Sequence, residues 1–339
     1  MRITIIGAGM MGSAMIIPAC DRGHDVRVVG TPLDDAIILH ARATGTHMTM
    51  KRRLPKPAAF YTFDQVNEAL EGADFVIGGV SSFGVDWFLN DALPLIPDGM
   101  PVLSVTKGLI AHEDGRLETY PDYYQRLSRR DIPFCAIGGP CTSYELADRR
   151  HSAVAFCGRD MDALRMLRDA LATNYYHISL SQDVVGVETA VALKNAYALA
   201  VTLAVGMVEA QDGGEGTPAD NPQAALFGQS VREMTALLAL LGGGPENIIY
   251  GAGDLYVTIF GGRTRLLGTL LGRGLTIDQA LERLKGVTLE SVVIAQRMVD
   301  ALGTRGQLAD FPLLHHVGRL LSGETADIPW ASFTTETAR

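Results

Sequence analysis

A short apolar run, Arg2–Ile6, leads directly into Gly7-Ala8-Gly9-Met10-Met11-Gly12, and a helix-compatible segment follows from Ser13 to Cys20. No other feature restricts the fold of this chain as strongly. A strand, three glycines at this spacing and a helix start make up the dinucleotide-binding fingerprint. Gly7 permits the tight turn, Gly9 lets a diphosphate approach the backbone, and Gly12 allows close helix-on-strand packing. The diphosphate charge is then met by unpaired amides at a helix N-terminus. The same stretch has the outline of a leader peptide, with Arg2 before an apolar run that ends at Cys20. Glycines at 7, 9 and 12 weaken a leader helix, and His24–Val29 continues as a second strand, so a mature, soluble chain is expected.

A length of 339 residues favours two domains over one, and 47% apolar residues suffice for two cores. Cys20, Cys135, Cys141 and Cys157 show neither CxxC nor Cys/His metal spacing. That usage points to a reduced, cytoplasmic protein without structural zinc or another metal. A net charge of −9 argues against nucleic acid and anionic membranes as partners. An anionic ligand must therefore be held by a local cationic site. Thr189–Val208 is long enough to span a bilayer. Lys194 and Asn195 interrupt it, however, and basic flanks and aromatic belts are missing, so a buried core helix is expected.

The first half alternates short apolar runs with helix-length segments. Strands are expected at Ile3–Ile6, Val26–Val29, Phe75–Val80, Val102–Val105, Phe134–Ile137 and Ala153–Cys157, and helices at Asp64–Leu70, Phe83–Leu95 and Asp160–Leu171. Near-continuous apolar runs suit a parallel sheet covered on both faces, so residues 1–181 read as a doubly wound, mostly parallel α/β domain of Rossmann type. From Gln182 the strand pattern fades. Helices are expected at Val184–Glu209, Gln223–Leu241, Ile277–Leu284, Leu289–Leu302 and Pro312–Leu321, with a mobile Gly-rich linker at Gln211–Asp220. Residues 182–339 read as an all-helical domain.

Chemistry concentrates in a few places. Lys107 follows the strand Val102–Val105, and ligands of doubly wound sheets bind at carboxyl ends of strands; a solvated loop lysine is the competing reading. Gly138-Gly139-Pro140 follows the next strand in the same sense. Lys194 stands in an apolar helix beside Val187, Ala190, Val191, Ala198 and Val201. Lysine is rarely buried without a partner, and burial moves its pKa toward the range useful for proton transfer. Asn195 adds a donor and an acceptor. Gly261-Gly262-Arg263-Thr264-Arg265 opens a helix at Leu266 and makes a plausible phosphate site, against a plain surface turn.

In this order, Gly7-Ala-Gly9-Met-Met-Gly12, Lys107-Gly-Leu, Gly139-Pro-Cys-Thr-Ser-Tyr-Glu145, Ala192-Leu-Lys-Asn195, Asn221-Pro-Gln-Ala-Ala225, Gly253-Asp-Leu255 and Gly261-Gly-Arg263 resemble the soluble NAD(P)-dependent glycerol-3-phosphate dehydrogenases, most closely the archaeal-type branch. The resemblance implies Lys194 as general base on the C2 hydroxyl and as acid in the reduction of dihydroxyacetone phosphate. It implies Lys107 and Asn195 orienting the reacting oxygen, Asp254 and Thr258 lining the substrate pocket with Gly139, and Arg263 with the Thr264 amide clamping the phosphate. It further implies Gly7, Gly9, Met10, Met11, Gly12, Thr31, Lys107, Ser143, Arg263 and Glu290 around the cofactor. Thr264 stands where the family usually has Asn, which leaves room for a longer polyol phosphate as the alternative substrate. A non-catalytic NAD(P)-sensing protein is a third reading, but it gives no reason for Lys194. An NAD enzyme places an acid at the end of the second strand. Here Gly30-Thr31-Pro32 stands there, Asp34 and Asp35 come late, and Arg42, Arg52, Arg53 and Lys56 lie downstream, so of NAD and NADP the sequence leans to NADP. A homodimer is the expected assembly.

Overall fold

In the computed structural model the described residues are 1–287, 289–325 and 327–335. They form two compact units, Met1–Gly108 with Thr119–Glu188, and Leu109–Glu118 with Thr189–Arg339. The division falls inside the helix Val184–Asp212 rather than at residue 181, and a small hairpin from the first half of the chain belongs to the second unit.

Among the described residues there are ten strands: β1 Arg2–Ile6, β2 Asp25–Val29, β3 Ala59–Tyr61, β4 Phe75–Gly78, β5 Val102–Ser104, β6 Leu109–Ala111, β7 Leu117–Thr119, β8 Phe134–Gly138, β9 Ser152–Gly158 and β10 Tyr176–Ser181. β6 and β7 make the hairpin, and the other eight form one sheet in the order β10-β9-β8-β5-β4-β1-β2-β3. Its pairings are parallel except β8 with β9. The expected strands are all found. β3 and β10 escape a search for apolar runs because both are edge strands, and β10 exposes part of its side chains.

Sequence order reverses between β1 and β4, the switch point at which doubly wound sheets bind ligands. The turn after β1 meets the turn after β4 backbone to backbone there. Gly7 has φ +112°, and a Cβ on it would lie 2.6 Å from the Gly79 carbonyl carbon. Only glycine satisfies both the conformation and the gap. The expected helix Phe83–Leu95 is instead a chain of short turns, ending in the 3₁₀ turn Leu93–Leu95. Pro94 lacks the amide needed to carry an α-helix through.

The second unit is built around Val184–Asp212. Residues Ala196–Ala204 of this helix are buried throughout, which answers the membrane-length question in favour of a core helix. Helix Ile248–Ile259 crosses it at a small residue: a Cβ on Gly251 would lie 2.6 Å from the Ala190 carbonyl oxygen. The Gly-rich stretch after Asp212 is tied down rather than loose. Glu209 accepts from the Gly216 amide at 2.9 Å and from Arg273 at 2.8 Å, and Arg273 also reaches Glu215 at 2.9 Å.

A buried carboxyl organises the far side of this core. Glu233 accepts from Tyr197 Oη (2.9 Å), Gln229 Nε2 (2.8 Å) and the amides of Leu313 (2.8 Å) and Leu314 (3.1 Å). The two amides open the helix Pro312–Leu321, so the side chain caps a helix from another part of the chain. Burial raises the pKa of Glu233, and the four donors oppose it. Glu233→Ala leaves those donors unpaired, and chemical denaturation is expected to show a loss of about 3–5 kcal/mol.

Candidate active site

In the first unit, Gly7, Gly9, Thr31, Asp34, Gly79, Phe83 and Trp87 line a cavity of about 420 Å³. The glycines leave backbone exposed on one side of it. Asp34 does not trail away from this site as its late position in the chain implies. The turn Thr31–Asp34 closes on itself, with the Asp34 amide donating to the Thr31 carbonyl at 2.8 Å. Asp34 Oδ2 then accepts from the Thr31 amide (2.9 Å), the Thr31 hydroxyl (2.8 Å) and the Ala8 amide (3.1 Å). Asp34 thereby fastens the glycine turn to the residue that follows β2.

Of the four downstream basic residues, two have protein partners. Arg42 donates to the Phe60 carbonyl (2.8 Å) and to Gln65 Oε1 (2.6 Å), and Arg52 makes a bidentate pair with Asp148 (2.7 and 3.0 Å). Arg53 and Lys56 are exposed. Met10 and Met11 follow Gly9 in the first helical turn, and the Met11 side chain packs on the sheet core. Gly12 is buried against Gly79.

Lys107 follows β5 and spans to the turn after β8, its Nζ donating to the Gly139 carbonyl at 2.9 Å. Ser143 lies half-buried in the first turn of the short helix Ser143–Ala147, which the Thr142 side chain caps. A residue that sequence inspection passed over belongs with this group. Glu188 is fully buried, and neither of its carboxyl oxygens has a hydrogen-bond partner among the described residues. Burial pushes its pKa up to about 8, against the pull of the Lys107 cation. An acidic residue next to Val187 in an otherwise apolar run was the available clue.

In the second unit, Lys194 has the partner its burial demands. Its Nζ lies 2.8 Å from Asp254 Oδ1, with side-chain exposures of 15% and 1%. The Gly251–Ala190 approach produces this contact, because Asp254 and Lys194 stand one turn further along the same faces of the two helices. The sequence points to a lone amine; the structure sets the Asp254 carboxylate 2.8 Å from it. Asn195 is half-buried beside it. Thr258, one turn beyond Asp254, donates its hydroxyl to the Asp254 carbonyl at 2.7 Å and keeps its lone pairs.

Arg263 is exposed and Thr264 half-buried in the first turn of the helix Gly262–Gly272. Arg265 is spent on structure, donating to the Ile259 carbonyl at 2.8 Å. Glu290 is the first residue of the helix Glu290–Thr304. Burial raises Cys20 to about 11 and Cys135 to about 12, so both stay protonated.

A family model described as the N-terminus of NAD-dependent glycerol-3-phosphate dehydrogenase matches residues 2–164, and the model of the C-terminus matches residues 183–327. The NADP(+)-dependent glycerol-3-phosphate dehydrogenase of Archaeoglobus fulgidus is 33% identical and aligns over 84% of each chain. A glycerol-3-phosphate dehydrogenase (NAD(P)+) of Koribacter versatilis is 28% identical over 94% of this chain and 92% of its own. The glycerol-3-phosphate dehydrogenase structure from Coxiella burnetii has the same fold, with a TM-score of 0.77 at 24% identity over 94% of each chain.

The Glu188 carboxyl sets a pH dependence. Its folded pKa, about 8, lies above the unfolded value, so its favourable contribution is complete at low pH and fades as pH rises through 8. Glu188→Gln removes this dependence. Between pH 4.5 and 8 the stability difference is expected to move in the variant's favour by about 2–4 kcal/mol, read from denaturation curves at stepped pH.

Proposed function

The chain belongs to the NAD-dependent glycerol-3-phosphate dehydrogenase family, and on that premise we propose that it interconverts sn-glycerol 3-phosphate and dihydroxyacetone phosphate with Lys194 as the proton-transferring group. The observation that carries this reading is the Lys194–Asp254 pair, an ammonium held at 2.8 Å in a nearly dry setting. A structural role explains it poorly, since a buried ion pair contributes little stability over apolar residues of the same size.

The first unit supplies the dinucleotide site. Gly7 and Gly79 let the two turns meet backbone to backbone, and Gly9, whose added Cβ would meet only the Gly79 oxygen at 3.7 Å, leaves open space in the cavity for a diphosphate, so the residues present fit the group. When bound, the nicotinamide supplies or accepts the hydride at C2. The chain's own residues manage the proton and the charge. In reduction the Lys194 ammonium, oriented by Asp254, gives its proton to the C2 oxygen; in oxidation the neutral amine takes it back. Asn195 donates to the same oxygen as negative charge develops on it, and Lys107 supplies a cation at the carboxyl end of β5 in the dinucleotide unit. Arg263 and the Thr264 amide hold the phosphate at the N-terminus of the helix Gly262–Gly272, where the dipole favours an anion. Met10, Met11, Ser143 and Glu290 complete the cofactor contacts, and Thr258 those of the substrate.

NADP(H) is the proposed cofactor. Asp34 has its Oδ2 committed to three donors, while Arg53 and Lys56 keep exposed cations in the following loop. We place the protein in the cytoplasm on its cysteine usage, four residues in 339 without CxxC or Cys/His metal spacing. A homodimer is supported by the apolar stripe Ile249, Tyr256 and Phe260, each more than half exposed on the outer face of one helix.

Lys194→Ala is expected to lower kcat for reduction of dihydroxyacetone phosphate by about 10²–10⁴-fold with cofactor affinity unchanged. Retained turnover would remove Lys194 from the mechanism. The second prediction concerns the cofactor: kcat/KM should be higher with NADPH than with NADH, and the reverse order would show that Arg53 and Lys56 do not reach the ribose.

A further inference from the structure

The residue between the first two fingerprint glycines is gripped from both sides. The Ala8 amide donates to Asp34, and the Ala8 carbonyl accepts from two side chains, Ser13 Oγ at 3.1 Å and His47 Nε2 at 3.0 Å. His47 comes from a separate turn and is 1% exposed. Its tautomer follows from its partners. A carbonyl only accepts, so Nε2 carries the proton, and Nδ1 accepts from the Met50 amide at 2.9 Å.

The turn that carries His47 closes without help from the glycine loop. The His47 amide donates to the Arg52 carbonyl (2.9 Å), the Lys51 amide to the His47 carbonyl (2.8 Å), and the Leu54 amide to the Gly45 carbonyl (2.8 Å). Met50 and Leu54 anchor it in the sheet core. The Nε2 bond is therefore not what folds the turn; it reaches outward to the fingerprint.

A trans peptide is planar, with its carbonyl and the next amide pointing in opposite directions. Holding the Ala8 carbonyl toward His47 turns the Gly9 N–H away from it, and Gly9 lines the cavity. We propose that His47 is a positioning residue for dinucleotide binding, which sets the plane of the Ala8–Gly9 peptide so that the Gly9 amide is presented to the diphosphate before the cofactor arrives. This rests on the reading of that cavity as the dinucleotide site. Preorganised donors bind a charge without reorienting, so the gain appears as cofactor affinity rather than as rate.

Two substitutions separate this role from a structural one. In His47→Gln the amide nitrogen occupies the place of Nε2 and keeps the strut to Ala8. In His47→Asn the side-chain oxygen takes the place of Nδ1, so the turn keeps its Met50 bond but loses the strut. The measurement is KM and kcat with NADPH and with NADH, alongside the thermal midpoint. His47→Asn is expected to raise KM for both cofactors about fivefold, the worth of one hydrogen bond, with kcat within about twofold. His47→Gln is expected to restore the wild-type KM. If Asn performs as well as Gln, or better, the turn's own bond is what matters and the proposal fails. A rise confined to NADPH also overturns it, since His47 would then act through the Arg52–Arg53 turn. Should His47→Asn not fold, Ser13→Ala removes the other donor to the same carbonyl, and an unchanged cofactor KM there refutes the mechanism. A wild-type protein that binds neither cofactor sinks the dinucleotide reading itself, a result distinct from any ranking of the variants.

Discussion

An ammonium inside an apolar helix needs a counter-charge, and the second unit is arranged to supply one. Desolvating a lysine alone is costly by several kcal/mol even after relaxation, so Lys194 would otherwise shed its proton or turn to water. Asp254 prevents both, but only because two helices approach closely enough for a 2.8 Å contact. That approach depends on Gly251, whose missing side chain leaves room for the Ala190 carbonyl. A packing detail thus decides whether the lysine meets its counter-charge.

The first unit follows the same logic with neutral partners. Its diphosphate cradle is made of backbone, which cannot be chosen by residue type, so side chains around it do the orienting. Asp34, Ser13 and His47 each spend a hydrogen bond on Ala8. Asp34, a few residues beyond the place where an NAD enzyme of this fold class turns an acid toward a ribose, has one carboxyl oxygen engaged by the glycine turn and by Thr31 after β2.

Much of this was legible in the chain. Parallel strands buried on both faces are continuous apolar runs, and the expected ones are all present because short runs of this kind, separated by helix-length segments, suit a covered sheet. The glycine fingerprint and the lysine in an apolar helix stood out for the same reason, each being a local rule broken where chemistry needs it. Edge strands β3 and β10 were not legible, since half-exposed strands carry no continuous run. The antiparallel pairing of β8 with β9 was also hidden, because strand direction is a property of the connection and not of the residues.

What the sequence alone determined, then, was the class of fold, the dinucleotide turn and the identity of the ionisable group at the heart of the second unit, because each is written in residues a few positions apart. The tertiary structure decided the rest: that Lys194 has Asp254 as its counter-ion, that Asp34 ties down the glycine turn, and that His47 reaches the fingerprint from a separate turn. Those contacts join residues 60, 26 and 39 positions apart. Distance along the chain carries no information about them, and only close packing of small residues brings the groups within hydrogen-bond range.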